Sequence, residues 1–160
     1  RVLDLTAQKE LAMETLGTVT TLTDAAVSNL APRLRMLTLY AVAASENRLV
    51  AGTGNASEYY MGYFTKWGDG AYDLNPIADL TATEIFEFLR YLKAPQSIIT
   101  KAPSAGLYEG QTDEEDMGVT YAAIDQYIKT GQANDHDKAI IDRYHARSEH
   151  KRRNPLRYPD

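Results

Sequence analysis

The sequence predicts a layered α/β fold with a parallel sheet, and three observations indicate it. Two short apolar runs, at residues 2–5 and 49–51, have the length and composition of strands that are covered on both faces. Segments with helical spacing of apolar residues follow each run. Glycine-rich turns come after the second run, and loops at strand ends are where α/β folds keep their chemistry. The alternation of strand and helix therefore indicates parallel strands.

The first apolar run opens the chain, because Arg1 leads directly into residues of strand character and is not preceded by an initiating Met. Two strands are too few for a stable open sheet. We therefore expect the other strands to come from preceding sequence or from another chain, which makes the predicted α/β fold incomplete at its N-terminal side.

The first two helices have recognisable boundaries. Thr6 is expected to cap a helix that runs to about Leu16, with Leu11 and Leu16 on its packed face and Gly17 as its stop. A short turn from Asp24 to Leu30 would then precede a helix that begins at Pro32 and runs to about Ser45. The apolar stripe of that helix consists of Leu34, Leu37, Tyr40, Ala41 and Ala44.

The second half of the chain is predicted to be mainly helical. A helix begins near Ser57, and a second follows the capping box of Thr81 and Glu84 and ends at Pro95. The buried face of that second helix would consist of Ile85, Phe88, Leu89 and Leu92. Residues 100–118 are expected to form a long irregular loop. Two helices follow at about 120–130, with Gly131 as the stop, and at about 136–148, with Ile140, Ile141 and Tyr144 facing inward.

The composition excludes several classes of protein. The 160 residues are 44% hydrophobic and 24% charged, as in an ordinary globular domain. The chain has no cysteine, which excludes disulfides, thiolate metal sites and a cysteine nucleophile and fits a cytoplasmic location. We expect no membrane span and no signal peptide. Residues 143–160 hold 6 of the 17 basic groups, a cluster too small for a nucleic-acid surface.

The glycine-rich turn after residues 49–51 is the strongest local motif. In Gly52-Thr53-Gly54-Asn55, the glycines let backbone amides approach an anion and Thr53 offers a hydroxyl group to a nucleotide. Glu58 lies one turn into the next helix, where it could bind a Mg²⁺ ion carried by phosphates. Taken alone, such a motif is more often a tight turn without a ligand.

Charged residues elsewhere are weaker candidates. Lys66 could bind a phosphate or a carboxylate, and Asp69 or Asp73 could bind an ammonium ion or a ribose hydroxyl, although such charges often form a solvated loop. Arg33 and Arg35 are two residues apart and cannot both face one ligand. The basic cluster at 150–153 is either solubilising or a nucleotide contact. The two other histidines, His136 and His145, are expected at the surface.

Five blocks occur in an order and spacing that resembles the ammonia-dependent NAD synthetase family over essentially all 160 residues. They are Asn29–Met36, Gly52–Gly70, Asp73–Ile77, Pro103–Leu107 with Gln111–Glu114, and His150–Arg152. The resemblance implies a Rossmann-like parallel sheet with flanking helices, of the adenine nucleotide alpha-hydrolase type. It also implies that residues 1–160 are the C-terminal portion of a single NAD synthetase domain.

The resemblance implies a role for each matching residue. Thr53 and Ser104 would contact ATP, and Glu58 would be a metal ligand for Mg²⁺. The residues that would bind deamido-NAD are Arg33, Lys66, Asp73, His150 and Lys151. Asp69 falls near the pocket implied for ammonia and is the candidate catalytic residue. The loop at 100–118 would be a mobile cover that excludes water from the acyl-adenylate.

The implied protein is a ligase of NAD biosynthesis that acts as a homodimer through the helix beginning at Pro32. The carboxylate of deamido-NAD would attack the α-phosphorus of ATP and release pyrophosphate, after which ammonia would displace AMP. With Mg²⁺ as cofactor and ATP as co-substrate, this chemistry requires positioning and charge neutralisation rather than a side-chain nucleophile.

Two departures from the family pattern limit what the resemblance implies. The family's Ser-Gly-Gly-x-Asp-Ser phosphate loop is absent from this sequence, so we expect these 160 residues alone to be inactive. An ATP-binding lysine found in many relatives is replaced by Ala82, and that role is left unassigned. The synthetase part of a glutamine-dependent NAD synthetase and a non-catalytic nucleotide-binding or dimerisation fragment remain alternatives.

Overall fold

The computed structural model describes residues 2–106 and 110–158 of the chain. Leu107, which belongs to one of the sequence blocks, and Arg1, which precedes the predicted strand at 2–5, lie outside the described residues. The chain divides into two compact units. The first unit comprises Arg1–Thr53 and Phe64–Pro76, and the second comprises Gly54–Tyr63 and Ile77–Asp160.

The predicted strand at 2–5 is wrong, because these residues have no regular structure. Val2 is 96% exposed and Leu3 is 63% exposed, so the run is not buried either. An isolated extended segment has no partner for its backbone N–H and C=O groups, and a strand needs one. The apolar pattern alone therefore did not determine a strand.

The first helix, α1 (Thr6–Gly17), has the predicted length but a different start. Leu5 occupies the N-cap position, and the Asp4 carboxylate accepts hydrogen bonds from the Thr6 amide at 2.9 Å and the Thr6 hydroxyl at 2.6 Å. The predicted packed face is wrong for this unit, because none of the residues of α1 is buried and Leu11 is 63% exposed.

The second helix, α2 (Asp24–Glu46), is continuous, so the predicted start at Pro32 is wrong. Thr23 caps it by accepting a hydrogen bond from the Ala26 amide at 3.3 Å. Pro32 lies inside the helix and is buried. A proline inside a helix removes one backbone hydrogen bond but does not prevent the surrounding turns from forming. In the predicted stripe, Leu37, Ala41 and Ala44 are exposed and Leu34 and Tyr40 are half-buried.

The predicted strand at 49–51 is reduced to one parallel bridge, between Ala51 and Leu74. The Gly52 amide donates to the Leu74 carbonyl at 2.7 Å, and the Asp73 amide donates to the Val50 carbonyl at 2.9 Å. The parallel direction agrees with the predicted fold class. Within the described residues, however, the bridge does not extend into the parallel sheet that the sequence predicts.

The second unit is helical and contains a hydrophobic core. Its helices are α3 (Ala56–Met61), α4 (Ala82–Tyr91), α5 (Gln96–Ile99), α6 (Asp113–Met117), α7 (Tyr121–Thr130), α8 (Asp135–Arg147) and α9 (Glu149–Arg152). Helix α3 contacts α4, α7 and α8. The buried core residues are Met61, Ala82, Met117, Val119, Tyr121, Ile124 and Ile141.

The start of α4 confirms the predicted capping box. The Glu84 carboxylate accepts hydrogen bonds from the Thr81 amide and the Thr81 hydroxyl, each at 2.8 Å. The helix ends at Tyr91, before Pro95. Its predicted buried face is partly wrong, since Phe88 is 42% exposed and Leu92 is 56% exposed, whereas Ala82 is buried.

The C-terminal helices agree more closely with prediction. Helix α7 ends at Thr130, and Gly131 caps it with a φ of 70°, the left-handed conformation expected of a helix stop. Ile141 is buried in the core, and Ile140 and Tyr144 pack against it as predicted. One prediction is wrong here, because the expected loop at 100–118 contains the short helix α6. Beyond the helix predicted at about 136–148, residues 150–152 of the basic cluster lie within a further short helix, α9.

Among the described residues, the structure contains no helix with both the length and the apolar character that crossing a membrane requires.

Candidate functional site

Gly52 and Thr53 are the residues of the glycine-rich turn that belong to the first unit, and Gly52 is closely packed. A side chain at Gly52 would place its Cβ 2.6 Å from the ring of Tyr72, so this position requires glycine for packing. Thr53 follows directly and is exposed. The Thr53 hydroxyl is therefore accessible to a ligand, while the neighbouring glycine also has the purely structural role that the motif allows.

Glu58 is fixed at the start of α3. Its carboxylate accepts a hydrogen bond from the Asn55 amide at 2.9 Å, and the Asn55 side chain accepts one from the Glu58 amide at 2.9 Å. This reciprocal capping box holds the Glu58 carboxylate beside the N-terminus of a helix. The described residues contain no group of three or more His, Cys, Asp or Glu side chains suited to a metal ion. Glu58 is therefore the one candidate Mg²⁺ ligand that the sequence assigns within the described residues, and oxygen atoms of a nucleotide or of water are suitable further ligands.

Ser104 lies in an exposed segment of the second unit. Its hydroxyl oxygen accepts a hydrogen bond from the Gly106 amide at 3.1 Å. The residues on either side of it are held by Asp113, because the Asp113 amide donates to the Pro103 carbonyl at 3.0 Å and the Asp113 carboxylate accepts from the Ala105 amide at 2.9 Å. The conformation around Ser104 therefore depends on Asp113, a residue of the segment 100–118 that was predicted to be an irregular loop.

Asp113 is buried and is itself held by a core tyrosine. It is 4% exposed, and its carboxylate accepts a hydrogen bond from the Tyr121 hydroxyl at 2.9 Å. Burial raises the pKa of Asp113. Burial also raises the pKa of Tyr121, and the negative charges of Glu58 and Asp113 add to that increase. Glu58 and the Asp113 carboxylate thus both lie within electrostatic reach of one hydroxyl group.

A helix-capping pattern in the sequence could have identified the region around Asp113. Thr112 precedes a run of acidic residues, and its hydroxyl oxygen accepts from the Glu115 amide at 3.4 Å. The Thr112 hydroxyl also donates to the Glu115 carboxylate at 2.8 Å. Threonine with glutamate three residues later is a capping pattern that predicts a helix. Nothing in the local sequence predicts that Asp113 is buried, because its burial depends on Tyr121.

The C-terminal end of α3 receives side chains from α8 and α9. The Lys151 ammonium donates to the Gly62 carbonyl at 2.7 Å, and the Arg152 guanidinium donates to the Tyr60 carbonyl at 3.2 Å. Cations are favourable at this end of a helix, where carbonyl groups lack partners within the helix. Lys151, which the sequence assigns to ligand binding, therefore also stabilises α3. His150 is exposed on α9.

The prediction that His145 lies at the surface is wrong. Its ring stacks on Tyr60 with centroids 4.1 Å apart, and its Nδ1 lies 2.9 Å from the Tyr60 carbonyl oxygen. The side chain is half-buried because α8 packs against α3. His136 is exposed, as predicted.

The first unit brings together some of the predicted ligand-binding residues. The Arg33 guanidinium donates to the Lys66 carbonyl at 3.4 Å, and the Lys66 ammonium lies 5.4 Å from the centre of the Trp67 ring. Asp69 accepts a hydrogen bond from the Thr65 amide at 3.0 Å. Asp73 accepts one from the Val50 amide at 2.7 Å, so it also supports the backbone next to the parallel bridge.

Comparison with known proteins gives consistent matches. Residues 3–155 match the model of the NAD synthase family. The chain is 58% identical, over 81% of its length, to the NH(3)-dependent NAD(+) synthetase of Carboxydothermus hydrogenoformans, and the match covers 54% of that relative. The chain therefore spans about half the length of the curated relatives it matches.

Solved structures agree with these matches. The NMN synthetase of Francisella tularensis has a TM-score of 0.94 and 42% identity, covering 99% of this chain and 66% of that one. The NAD+ synthetase of Burkholderia pseudomallei has a TM-score of 0.73 and 30% identity, covering 94% of this chain and 58% of that one.

Proposed function

The chain belongs to the NAD synthase family, and we propose that the whole protein is a ligase that forms NAD from deamido-NAD, ATP and ammonia. The observation that carries this proposal is the family match over residues 3–155 together with relatives at 47–58% identity that are named NH(3)-dependent NAD(+) synthetase. In the proposed reaction the substrate carboxylate attacks the α-phosphorus of ATP and releases pyrophosphate. Ammonia then attacks the acyl carbon, and AMP leaves.

The residues of the second unit are proposed to hold the nucleotide. The exposed Ser104 would donate its hydroxyl hydrogen to ATP, and Lys151 and His150 would bind deamido-NAD. Glu58 would hold a Mg²⁺ ion, and its carboxylate fits because hard cations prefer oxygen ligands. When bound, such an ion neutralises phosphate charge. The capping box supports this assignment because it fixes the carboxylate beside a helix N-terminus, where anionic phosphates are also favoured.

The residues of the first unit are proposed to bind substrate groups. Thr53 would contact ATP, while Arg33, Lys66 and Asp73 would bind deamido-NAD. The contact between Arg33 and the Lys66 backbone supports a shared function for the two cations. Asp69 is proposed to hold ammonia, and its hydrogen bond from the Thr65 amide would keep its carboxylate oriented. These groups orient and neutralise charge, which is the main requirement of acyl transfer from an adenylate.

The whole protein is also proposed to act as a homodimer in the cytoplasm. Several apolar residues of α2 are exposed, among them Leu37 at 62%, Leu39 at 56% and Val42 at 44%. An apolar face of this kind favours contact with another surface. Sedimentation of the whole protein should give the mass of a dimer, and a monomer at micromolar concentration would contradict the proposal.

A second candidate is formation of NMN instead of NAD. It is favoured by the Francisella tularensis structure, which is named an NMN synthetase and has a TM-score of 0.94 with this chain. The two candidates differ in whether the amidated substrate is a mononucleotide or a dinucleotide.

The deciding experiment supplies the whole protein with ATP, Mg²⁺ and ammonium, and with either deamido-NAD or nicotinate mononucleotide. We expect a higher kcat/KM with deamido-NAD. A higher value with the mononucleotide would favour the second candidate, and activity with neither would leave a non-catalytic binding role. Replacing ammonium with glutamine in a parallel assay tests the glutamine-dependent alternative. The 160 residues alone are proposed to be inactive because they lack the phosphate loop.

A further inference from the structure

One side chain holds the backbone on both sides of Ser104. The amide of Asp113 donates to the carbonyl of Pro103 at 3.0 Å. The carboxylate of Asp113 accepts from the amide of Ala105 at 2.9 Å. Two bonds from one residue therefore fix the two peptide groups nearest Ser104, and a segment without regular structure acquires a defined conformation at this position.

The same carboxylate is anchored in the core of the second unit. Its other oxygen accepts a hydrogen bond from the Tyr121 hydroxyl at 2.9 Å. Tyr121 is 4% exposed and belongs to the hydrophobic core together with Ile124 and Ile141. Asp113 thus connects the segment that contains Ser104 to α7, and the packing of α7 in the core limits the movement of that segment.

The orientation of the Ser104 hydroxyl follows from this arrangement. The hydroxyl oxygen accepts from the Gly106 amide, which is the geometry of a serine turn. A hydroxyl group has one hydrogen to donate in addition to the lone pairs with which it accepts. Fixing the peptide groups before and after Ser104 limits the directions in which that hydrogen can point, and preorganised donors bind a ligand with less loss of entropy.

We infer that Asp113 is a positioning residue that, through the backbone of Pro103 and Ala105, orients Ser104 toward the nucleotide. The inference rests on the proposed contact between Ser104 and ATP. Asp113 touches neither ATP nor the reacting atoms in this role. Its loss should weaken nucleotide binding more than it weakens binding of deamido-NAD.

The test is a double-mutant cycle in the whole protein, with binding of a non-hydrolysable ATP analogue measured by calorimetry. Ser104→Ala removes the proposed contact, and Asp113→Ala removes the acceptor for the Ala105 amide. Each is expected to raise the Kd about tenfold, which is about 1.4 kcal/mol and typical of one hydrogen bond. The double variant should be no weaker than the weaker single variant, because both act on the same contact.

Two control variants separate positioning from stability. In Asp113→Asn the remaining carbonyl oxygen can still accept from the Ala105 amide, and the new amide can donate to Tyr121, so the Kd should stay within about twofold of the original. Ile141→Val loses a methyl group in the same core and should lower the urea concentration at which half of the protein is unfolded, without changing the Kd.

The outcomes distinguish the two proposals. If Ser104→Ala leaves the Kd unchanged, the assignment of Ser104 to ATP is wrong and the inference fails with it. If Ser104→Ala weakens binding while Asp113→Ala does not, or if the two effects add, then Ser104 contacts ATP without help from Asp113 and the inference alone is overturned. An equal loss of affinity in Ile141→Val would also overturn it, since general destabilisation would then explain the result.

Discussion

Asp113 and Asp125 are two buried aspartates of the second unit that make the same kinds of contact. Asp125 is 3% exposed and accepts from the Ser57 hydroxyl and, at 2.8 Å, from the Thr83 amide. Asp113 is 4% exposed and accepts from the Tyr121 hydroxyl and the Ala105 amide. Each carboxylate thus joins one hydroxyl group and one backbone amide.

The two residues differ in what they hold. Asp125 lies on α7 and connects it to α3 and to the start of α4, so all of its contacts are with regular helices. Ser57 extends this connection, because its hydroxyl oxygen accepts from the Ala82 amide at 3.0 Å. Asp113 connects α7 to a segment without regular structure. Loss of the carboxylate should therefore reduce mainly the stability of the protein at Asp125 and mainly its affinity for the ligand at Asp113.

The largest effect is expected for Asp125→Ala. The substitution leaves the Ser57 hydroxyl and the Thr83 amide without their acceptor inside the core, and the free energy of unfolding should fall by about 3 kcal/mol. Urea unfolding of the whole protein followed by circular dichroism measures this change. A loss below about 1 kcal/mol would show that the two aspartates do not differ in the way proposed.

A smaller loss of stability is expected for Gly62→Ala, at the other end of the helix that Asp125 holds. Gly62 has a φ of 65°, and a Cβ there would overlap the Ser148 side chain. Gly131→Ala is the matched control, because Gly131 has a φ of 70° but nothing within 4 Å of its Cβ position. The control should lose about 1 kcal/mol from backbone strain alone, and Gly62→Ala should lose about 1 kcal/mol more because of the overlap with Ser148. Equal losses would mean that the end of α3 tolerates displacement.

The smallest effect concerns the pH dependence of stability at Asp113. Burial raises the pKa of Asp113 above its ordinary value of 3.8, so the folded state binds this proton more tightly than the unfolded state does. Its contribution to stability is present below that ordinary value and is lost as the pH rises through the raised pKa. Asparagine does not titrate, so the stability of Asp113→Asn relative to the original protein should increase with pH across this window.

Urea unfolding of both proteins at a series of pH values from about 3 to 7 gives this difference, and other titrating groups cancel in it. If the difference in free energy of unfolding stays constant, or if it favours the original protein more as the pH rises, burial does not raise the pKa of Asp113.

Local patterns in the sequence predicted local structure well. The capping box of Thr81 and Glu84 and the stop at Gly131 were confirmed because each depends on residues within one helical turn. The strand at 2–5 was wrong because a strand requires a pairing partner that its own sequence does not specify. Helix α2 was predicted to start too late because Pro32 was given the position that proline prefers, although a buried proline is tolerated further inside.

The candidate site was less predictable than the local structure, because its contacts join residues that are distant in sequence. Ser104 and Asp113 belong to one sequence block, but the support that Asp113 gives to the backbone beside Ser104 was not predicted, since the contact of Asp113 with Tyr121 joins two different helices. His145 was placed at the surface because its stacking on Tyr60 brings together residues that are far apart in sequence. Contacts of this kind depend on the packed core and not on any local pattern.

The proposed reaction is tested most directly by following oxygen from the substrate carboxylate. The whole protein would be supplied with deamido-NAD carrying ¹⁸O in both carboxylate oxygens, together with ATP, Mg²⁺ and ammonium. Attack of the carboxylate on the α-phosphorus, followed by displacement with ammonia, predicts that each AMP formed carries one ¹⁸O atom and each NAD retains the other. Unlabelled AMP, or ¹⁸O in inorganic phosphate or pyrophosphate, would contradict the acyl-adenylate route.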